Sequence, residues 1–240
     1  MNMIKTEIMN KALLDNIKNI YRKISSAAIR SGRDPLAVKL IAVTKTVDVE
    51  RIKEVMDLGL RVFGENKVQE AKEKILNIRS QISDCDIEWH MIGHLQRNKA
   101  KTAVQLFALI HSLDSAELAA LLNKHAENAG KIQRVLIEVK LSEEETKHSI
   151  AKEHLMDFIR SVSAMKHLKL EGLMTMPPFF DMPEKARPFF KELRELRDKA
   201  EKEGYRLPEL SMGMTNDYEM AILEGATMVR IGTGIFGERR

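Results

Sequence analysis

Short apolar runs rich in Val, Ile and Leu recur along the chain, separated by longer stretches in which apolar residues fall three and four positions apart. The first pattern is that of buried strands, the second that of amphipathic helices. Strands are predicted at 38–44, 60–63, 87–92, 106–111, 133–139, 168–173, 209–212 and 227–231. Helices are predicted at 49–58, 67–79, 115–128, 152–165, 184–203 and 217–224, after an opening amphipathic helix at about 11–31 that Gly32 closes. The punctuation agrees: Asp114 and Ser115 precede one apolar-periodic run, Gly130 follows it, and Gly204 ends a charged helix ahead of Pro208. Strand then helix, repeated eight times, predicts an α/β chain folded as a (β/α)8 barrel of the TIM type with an extra N-terminal helix, one domain over 1–240. An open doubly wound sheet would carry a Gly-rich turn after its first strand, where this chain has Thr44-Lys45-Thr46-Val47-Asp48.

Composition narrows the class. With 44% hydrophobic and 31% charged residues, the 240-residue chain is a globular protein able to bury a large core. Cys85 is the only cysteine, so an intrachain disulfide is excluded and a reducing compartment fits. The N-terminal residues lack the pattern of a secretory signal, and no apolar run reaches membrane-spanning length, so a cytoplasmic protein is expected. The net charge is +4, but acidic residues are interspersed with the basic ones and aromatics are only 5%. Nucleic-acid binding is not expected; a modest basic excess suits a phosphorylated small molecule. Charged outer helices predict a monomer, with a weak dimer as the alternative.

A barrel of this kind assembles its site from the C-terminal ends of its strands. Those ends carry Lys45, Gly64-Glu65-Asn66, His90 with Gly93-His94, His111-Ser112, Lys140, Met174-Thr175-Met176, Ser211-Met212-Gly213-Met214 and Gly232-Thr233-Gly234. At the last two strands, Ser211, Gly232 and Thr233 read as a phosphate cradle, where backbone N–H groups converge at helix starts. Tight strand-to-helix turns would use the same glycines. Arg230 is expected to point inward, and a barrel interior does not hold a guanidinium without a partner. A phosphate on one side and the Lys45 amine on the other place a phosphorylated carbonyl compound between them. Pyridoxal 5'-phosphate fits, with its aldehyde on Lys45 as a Schiff base and its pyridine nitrogen on Arg230. Asn66 could meet the ring's phenolic oxygen or cap the next helix. His90 is placed beside the ring. The His90–His94 spacing spans a strand end and a loop, so no metal site is expected there. Met174, Met176, Met212 and Met214 read as adaptable packing, with Met214 placed to line the pocket.

The runs Ala42-Val43-Thr44-Lys45-Thr46, Phe63-Gly64-Glu65-Asn66, the segment from Trp89 to Lys99, Leu210-Ser211-Met212-Gly213-Met214-Thr215 and the segment from Val229 to Gly237 resemble those of the pyridoxal phosphate homeostasis protein family. The resemblance runs from the opening helix to the C-terminus. It implies a fold like the N-terminal barrel of alanine racemase, that of fold type III pyridoxal phosphate proteins, with the cofactor on Lys45. One segment departs from it: residues 140–150, Lys140-Leu141-Ser142-Glu143-Glu144-Glu145-Thr146-Lys147-His148-Ser149-Ile150, where the family has a small, Gly- and Ser-rich stretch.

Racemisation needs an acid–base group on each face of the cofactor. Tyr21, Tyr205 and Tyr218 are the only tyrosines, and none lies at a predicted strand end. A non-catalytic cofactor-binding role in homeostasis is therefore expected, with acceptor apo-enzymes as candidate partners. Two other readings stay open: an alanine-type amino-acid racemase, and a sugar-phosphate isomerase that uses Lys45 without a cofactor.

Overall fold

The computed structural model describes residues 2–82, 86–142 and 149–238, with side chains from residue 11 onward. Cys85, Lys147 and most of the divergent 140–150 stretch lie outside the described residues. The strands are β1 (Lys39–Val43), β2 (Val62–Glu65), β3 (Glu88–Met91), β4 (Leu109–Leu113), β5 (Gln133–Lys140), β6 (Ile150–Ala151), β7 (Leu168–Met174), β8 (Glu209–Ser211) and β9 (Met228–Ile231). Their parallel neighbours run β4-β3-β2-β1-β9-β8-β7-β5, and β4 also pairs with β5, so eight strands close into a barrel. The two-residue β6 sits outside the closed ring against the end of β5, with Val139 opposite Ile150.

Helices α1 (Asn2–Arg30), α2 (Val49–Asp57), α3 (Val68–Gln81), α4 (Ala100–Leu106), α5 (Ala116–Asn128), α6 (Leu155–Ser163), α7 (Arg187–Lys202), α8 (Tyr218–Leu223) and α9 (Thr233–Phe236) follow in chain order. The barrel strands are buried on both faces, which is why they read as short continuous apolar runs. On β1 the alternation is explicit. Ile41 points inward to Leu109, Leu136, Met174 and Met228, while Leu40 and Ala42 join the larger layer between sheet and helices.

Besides the short β6 and α9, which lie outside the predicted ranges, the predicted elements need four adjustments. Helix α1 starts at Asn2 rather than near residue 11. Helix α4 was not predicted: it is seven residues long, too short for the periodicity of Ala100, Ala103 and Val104 to register. The fourth strand consequently starts at Leu109 instead of 106 and runs through Ser112 to Leu113. The second strand lies two residues later than expected, so Glu65 belongs to the strand and not to the loop after it.

The extra helix buttresses the last repeat of the barrel. Its stripe of Leu13, Ile17, Ile20, Ile24, Ala27 and Ala28 is buried, and α1 packs on α8 and α9. Asn16 Nδ2 donates to the Ile235 carbonyl at 3.0 Å, and Arg33 donates to the carbonyls of Ile222 and Ala226. The strand-to-helix turn at Gly232 is therefore held from outside as well as from the sheet.

Candidate functional site

At the C-terminal rim a cavity of about 420 Å³ is lined by Lys45, Asn66, Ile92, Met176, Phe179, Met214, Thr215, Asp217, Arg230, Gly232 and Thr233, among others. It falls within the size range of small-molecule sites, about 300–1,000 Å³. Of the residues expected at the site, Lys45, Asn66, Met214, Arg230, Gly232 and Thr233 meet here.

Lys45 follows β1 on a backbone tied down from both sides. The buried Thr44 donates through Oγ1 to Glu65 Oε1 at 2.7 Å. Thr46, on the other side, has φ of +60°, a left-handed conformation that a β-branched residue adopts at a cost of about 1–3 kcal/mol. Its N–H donates to Glu70 Oε1. The Lys74 ammonium joins both halves, donating to the Thr44 carbonyl at 2.6 Å, Glu65 Oε1 at 2.9 Å and Glu70 Oε1 at 2.6 Å. Burial pushes the Glu65 carboxyl up, against the lowering effect of the Thr44 and Lys74 hydrogen bonds. The lysine that could react is thus presented by a turn that a second, buried lysine holds in place.

Asn66 stands where β2 ends. Its Oδ1 is buried in the structure and has no hydrogen-bond partner, an arrangement that suits a ligand donor or, with the amide turned over, a ligand acceptor. Gly93 lets it sit there, since a Cβ at that position would lie 2.6 Å from the Asn66 carbonyl oxygen. We expect Gly93→Ala to displace Asn66 and lower stability by about 1–3 kcal/mol, read as a fall in the denaturant midpoint.

Opposite, α9 begins at Thr233 beside the loop after β8. Thr233 Oγ1 donates to Thr215 Oγ1 at 3.2 Å, and the Gly234 N–H donates to the same oxygen at 3.3 Å. A Cβ on Gly234 would stand 2.9 Å from Ile231 Cγ2 and 3.2 Å from Thr215 Cγ2, so only glycine keeps this turn open. Hydroxyls and backbone N–H groups of this kind form the donor set of a phosphate cradle. Thr215 is the member that sequence reasoning missed, although the run ending in Thr215 already followed the seventh predicted strand.

Two expected contacts move inward. Ser211 does not join the cradle: its fully buried hydroxyl accepts from Arg230 Nη1 at 2.6 Å and lies 2.8 Å from His111 Nδ1. His90 does not line the cavity; its buried ring faces His111 inside the barrel, with nitrogens 3.0 Å apart. Both corrections have one cause. Side chains alternate along a strand, and His90 and Ser211 both occupy positions that point into the barrel below the rim. His94 faces Asp114 at 3.0 Å instead, so the two histidines diverge. Among the described residues, no group of three or more His, Cys, Asp or Glu could hold a metal ion, and no helix is long and apolar enough to cross a membrane.

Arg230 forms the floor. It is nearly fully buried, and Nη2 donates to the Thr175 carbonyl at 3.0 Å. Burial lowers its guanidinium to about 10, while Glu138 and Asp217 oppose that shift, so it keeps its charge at neutral pH. Asp217, the one carboxyl on the cavity wall, accepts the Met214 N–H at 2.7 Å and so fixes the turn into α8. Glu138 is pushed from 4.5 up to about 7, first by burial and then by Asp114, with Arg230 opposing. The native state then holds a proton that the unfolded chain releases, so stability is lost as pH rises from about 4.5 through 7, by an amount on the order of 3 kcal/mol. Glu138→Gln should flatten that slope and melt above the wild type at pH 8; parallel melting curves across the window would contradict it.

The profile of the alanine racemase N-terminal domain matches residues 12–240. The chain is 44% identical to the pyridoxal phosphate homeostasis protein of Aquifex aeolicus over 227 residues, covering 94% of this chain and 98% of that protein. It is 36% identical to the Escherichia coli protein of the same name over 228 residues, covering 93% and 95%. Among solved structures, PipY of Synechococcus elongatus with PLP bound superimposes with a TM-score of 0.80 at 34% identity, covering 91% of this chain and 100% of that one. An alanine racemase of Clostridium difficile shares the fold, with a TM-score of 0.71 at 16% identity, over 94% of this chain and 57% of the racemase.

Proposed function

The chain belongs to the pyridoxal phosphate homeostasis protein family, and on that premise we propose that it binds pyridoxal 5'-phosphate reversibly at the barrel rim, with Lys45 as the capturing amine and little or no turnover. The observation that carries this reading is the convergence of Lys45, Arg230, the partnerless Asn66 amide and the Thr215–Thr233–Gly234 cradle on one cavity. The residues fit the group. The cradle would hold the phosphate, Asn66 the ring's phenolic oxygen, and Arg230 its nitrogen, while Met214, Ile92 and Phe179 supply apolar walls. When bound, the cofactor supplies an electrophilic aldehyde. Arg230 donates and does not accept, which leaves the ring nitrogen unprotonated and the ring a weak electron sink.

The same geometry supports a carrier over a racemase. None of the three tyrosines lines the cavity, and its one carboxyl, Asp217, is committed to the Met214 N–H. In this reading the protein works in the cytoplasm, shielding the aldehyde and passing it to acceptor apo-enzymes. Titration with pyridoxal phosphate should produce a visible absorbance band, and borohydride should leave the pyridoxyl mass on the Lys45 peptide. Protein that stays colourless sinks the proposal. Rapid solvent-deuterium incorporation at the alpha carbon of D- and L-alanine, with inversion, would replace the carrier by a racemase.

A further inference from the structure

Behind Arg230 a line of polar groups, buried as far as His90, crosses the barrel interior and ends on the partly exposed Glu88. Arg230 Nη1 meets Ser211 Oγ at 2.6 Å, Ser211 Oγ meets His111 Nδ1 at 2.8 Å, His111 Nε2 meets His90 Nδ1 at 3.0 Å, and His90 Nε2 meets Glu88 Oε2 at 3.0 Å. Ser211, His90 and His111 are fully buried, and none of the three lines the cavity. We propose that Glu88, His90, His111 and Ser211 form a one-way hydrogen-bond chain that positions Arg230 for the ring nitrogen of the cofactor. The proposal rests on the functional reading above and adds four positioning residues, none of which lines the cavity.

The direction follows from the two ends. A guanidinium only donates and a carboxylate only accepts. Ser211 Oγ accepts from Arg230, so its own hydrogen goes to His111 Nδ1. His111 is then protonated on Nε2 and donates to His90 Nδ1, and His90 in turn donates from Nε2 to Glu88. Every buried group in the line is satisfied in that single arrangement, and no other arrangement satisfies them all. Burial holds both imidazoles neutral, and His90, Arg230, Lys39 and Arg134 add to that effect at His111. The His90 hydrogen bond, with Arg134 and Lys39 assisting, holds the Glu88 carboxyl below its ordinary value, so it accepts throughout the working range. Glu138 and Asp217 also act on Arg230, as carboxyls outside the line. With Nη1 on Ser211 and Nη2 on the Thr175 carbonyl, the guanidinium cannot swing away from the cavity wall.

Two measurements test the chain. Long-range proton–nitrogen spectra of the ligand-free protein should show both imidazoles neutral and protonated on Nε2; an Nδ1–H tautomer or an imidazolium at either position overturns the proposal, whatever the protein binds. In the second, absorbance titration compares wild type, His111→Gln and His111→Leu with pyridoxal phosphate and with its analogue carrying carbon in place of the ring nitrogen. Glutamine keeps one acceptor and one donor, so it should bind within about twofold of wild type, while leucine should lose about tenfold, roughly 1.4 kcal/mol. The analogue should bind all three proteins alike. Equal effects of glutamine and leucine, or a leucine deficit that persists with the analogue, would reduce His111 to packing and refute the chain. If the leucine variant does not fold, the tautomers and the glutamine variant still decide. Wild-type protein that binds no pyridoxal phosphate defeats the functional reading itself, a failure visible before any variant is made.

Discussion

Lys45→Ala is expected to abolish borohydride-stable labelling and weaken pyridoxal phosphate binding by about 100-fold or more, roughly 3 kcal/mol, with no change in the folded structure. The side chain is only partly buried and lines the cavity, and among the described residues it forms no hydrogen bond that truncation would break. Its loss therefore falls in the class of near-neutral surface changes, within about 0.5 kcal/mol of stability. The cradle, Asn66 and Arg230 remain, so weak noncovalent binding should persist, as quenching without the visible band. Absorbance, peptide mass and a thermal melt on one preparation check all three parts. An undiminished band in the alanine variant would falsify the assignment of the amine.

The largest effect on stability is expected at Lys74, a residue on an outer helix with an unremarkable sequence context. Lys74→Met leaves Glu65, which is fully buried, and Glu70 without the ammonium they share, and frees the Thr44 carbonyl. Breaking one partner of a buried pair costs about 3–5 kcal/mol. Burial already raises the Glu65 carboxyl, and without Lys74 its pKa should rise further, so protonation relieves the deficit as pH falls. Denaturant curves should show a large loss at pH 8 that shrinks at pH 5. Adding Glu65→Gln should recover part of it, because the uncompensated charge is gone. A single variant as stable as wild type at both pH values would show that the cluster is a surface pair without structural weight. The Thr46 turn loses its support in the same variant, so labelling of Lys45 should slow.

The strand ends were legible because a parallel barrel buries both faces of each strand and places its loops on one rim. That is enough to pick out Lys45 after Ala42-Val43-Thr44 and the glycines after β9. Resolution failed by one layer at Ser211 and His90. A run such as Trp89-His90-Met91 shows that one of two alternating sets points inward, but not how far below the rim a given side chain lies. Glu65 and Lys74 failed for a different reason. In sequence they are an ordinary acid and base nine positions apart, and only the packing of α3 against the end of β2 removes water from between them.

By itself, the amino-acid sequence determined the repeating strand–helix order, a lysine at the end of the first strand, an inward arginine and the family, since periodicity, residue chemistry and motif order are properties of the chain. Only the tertiary structure decided which hydroxyls line the rim cavity and which face the interior, that Thr215 stands with Thr233 and Gly234, and that Lys74 secures the turn at Lys45. It also decided that His90 and His111 link Arg230 to Glu88. Each of these depends on strand stagger and on the depth of a side chain below the rim, and those are fixed only when eight strands close on one another.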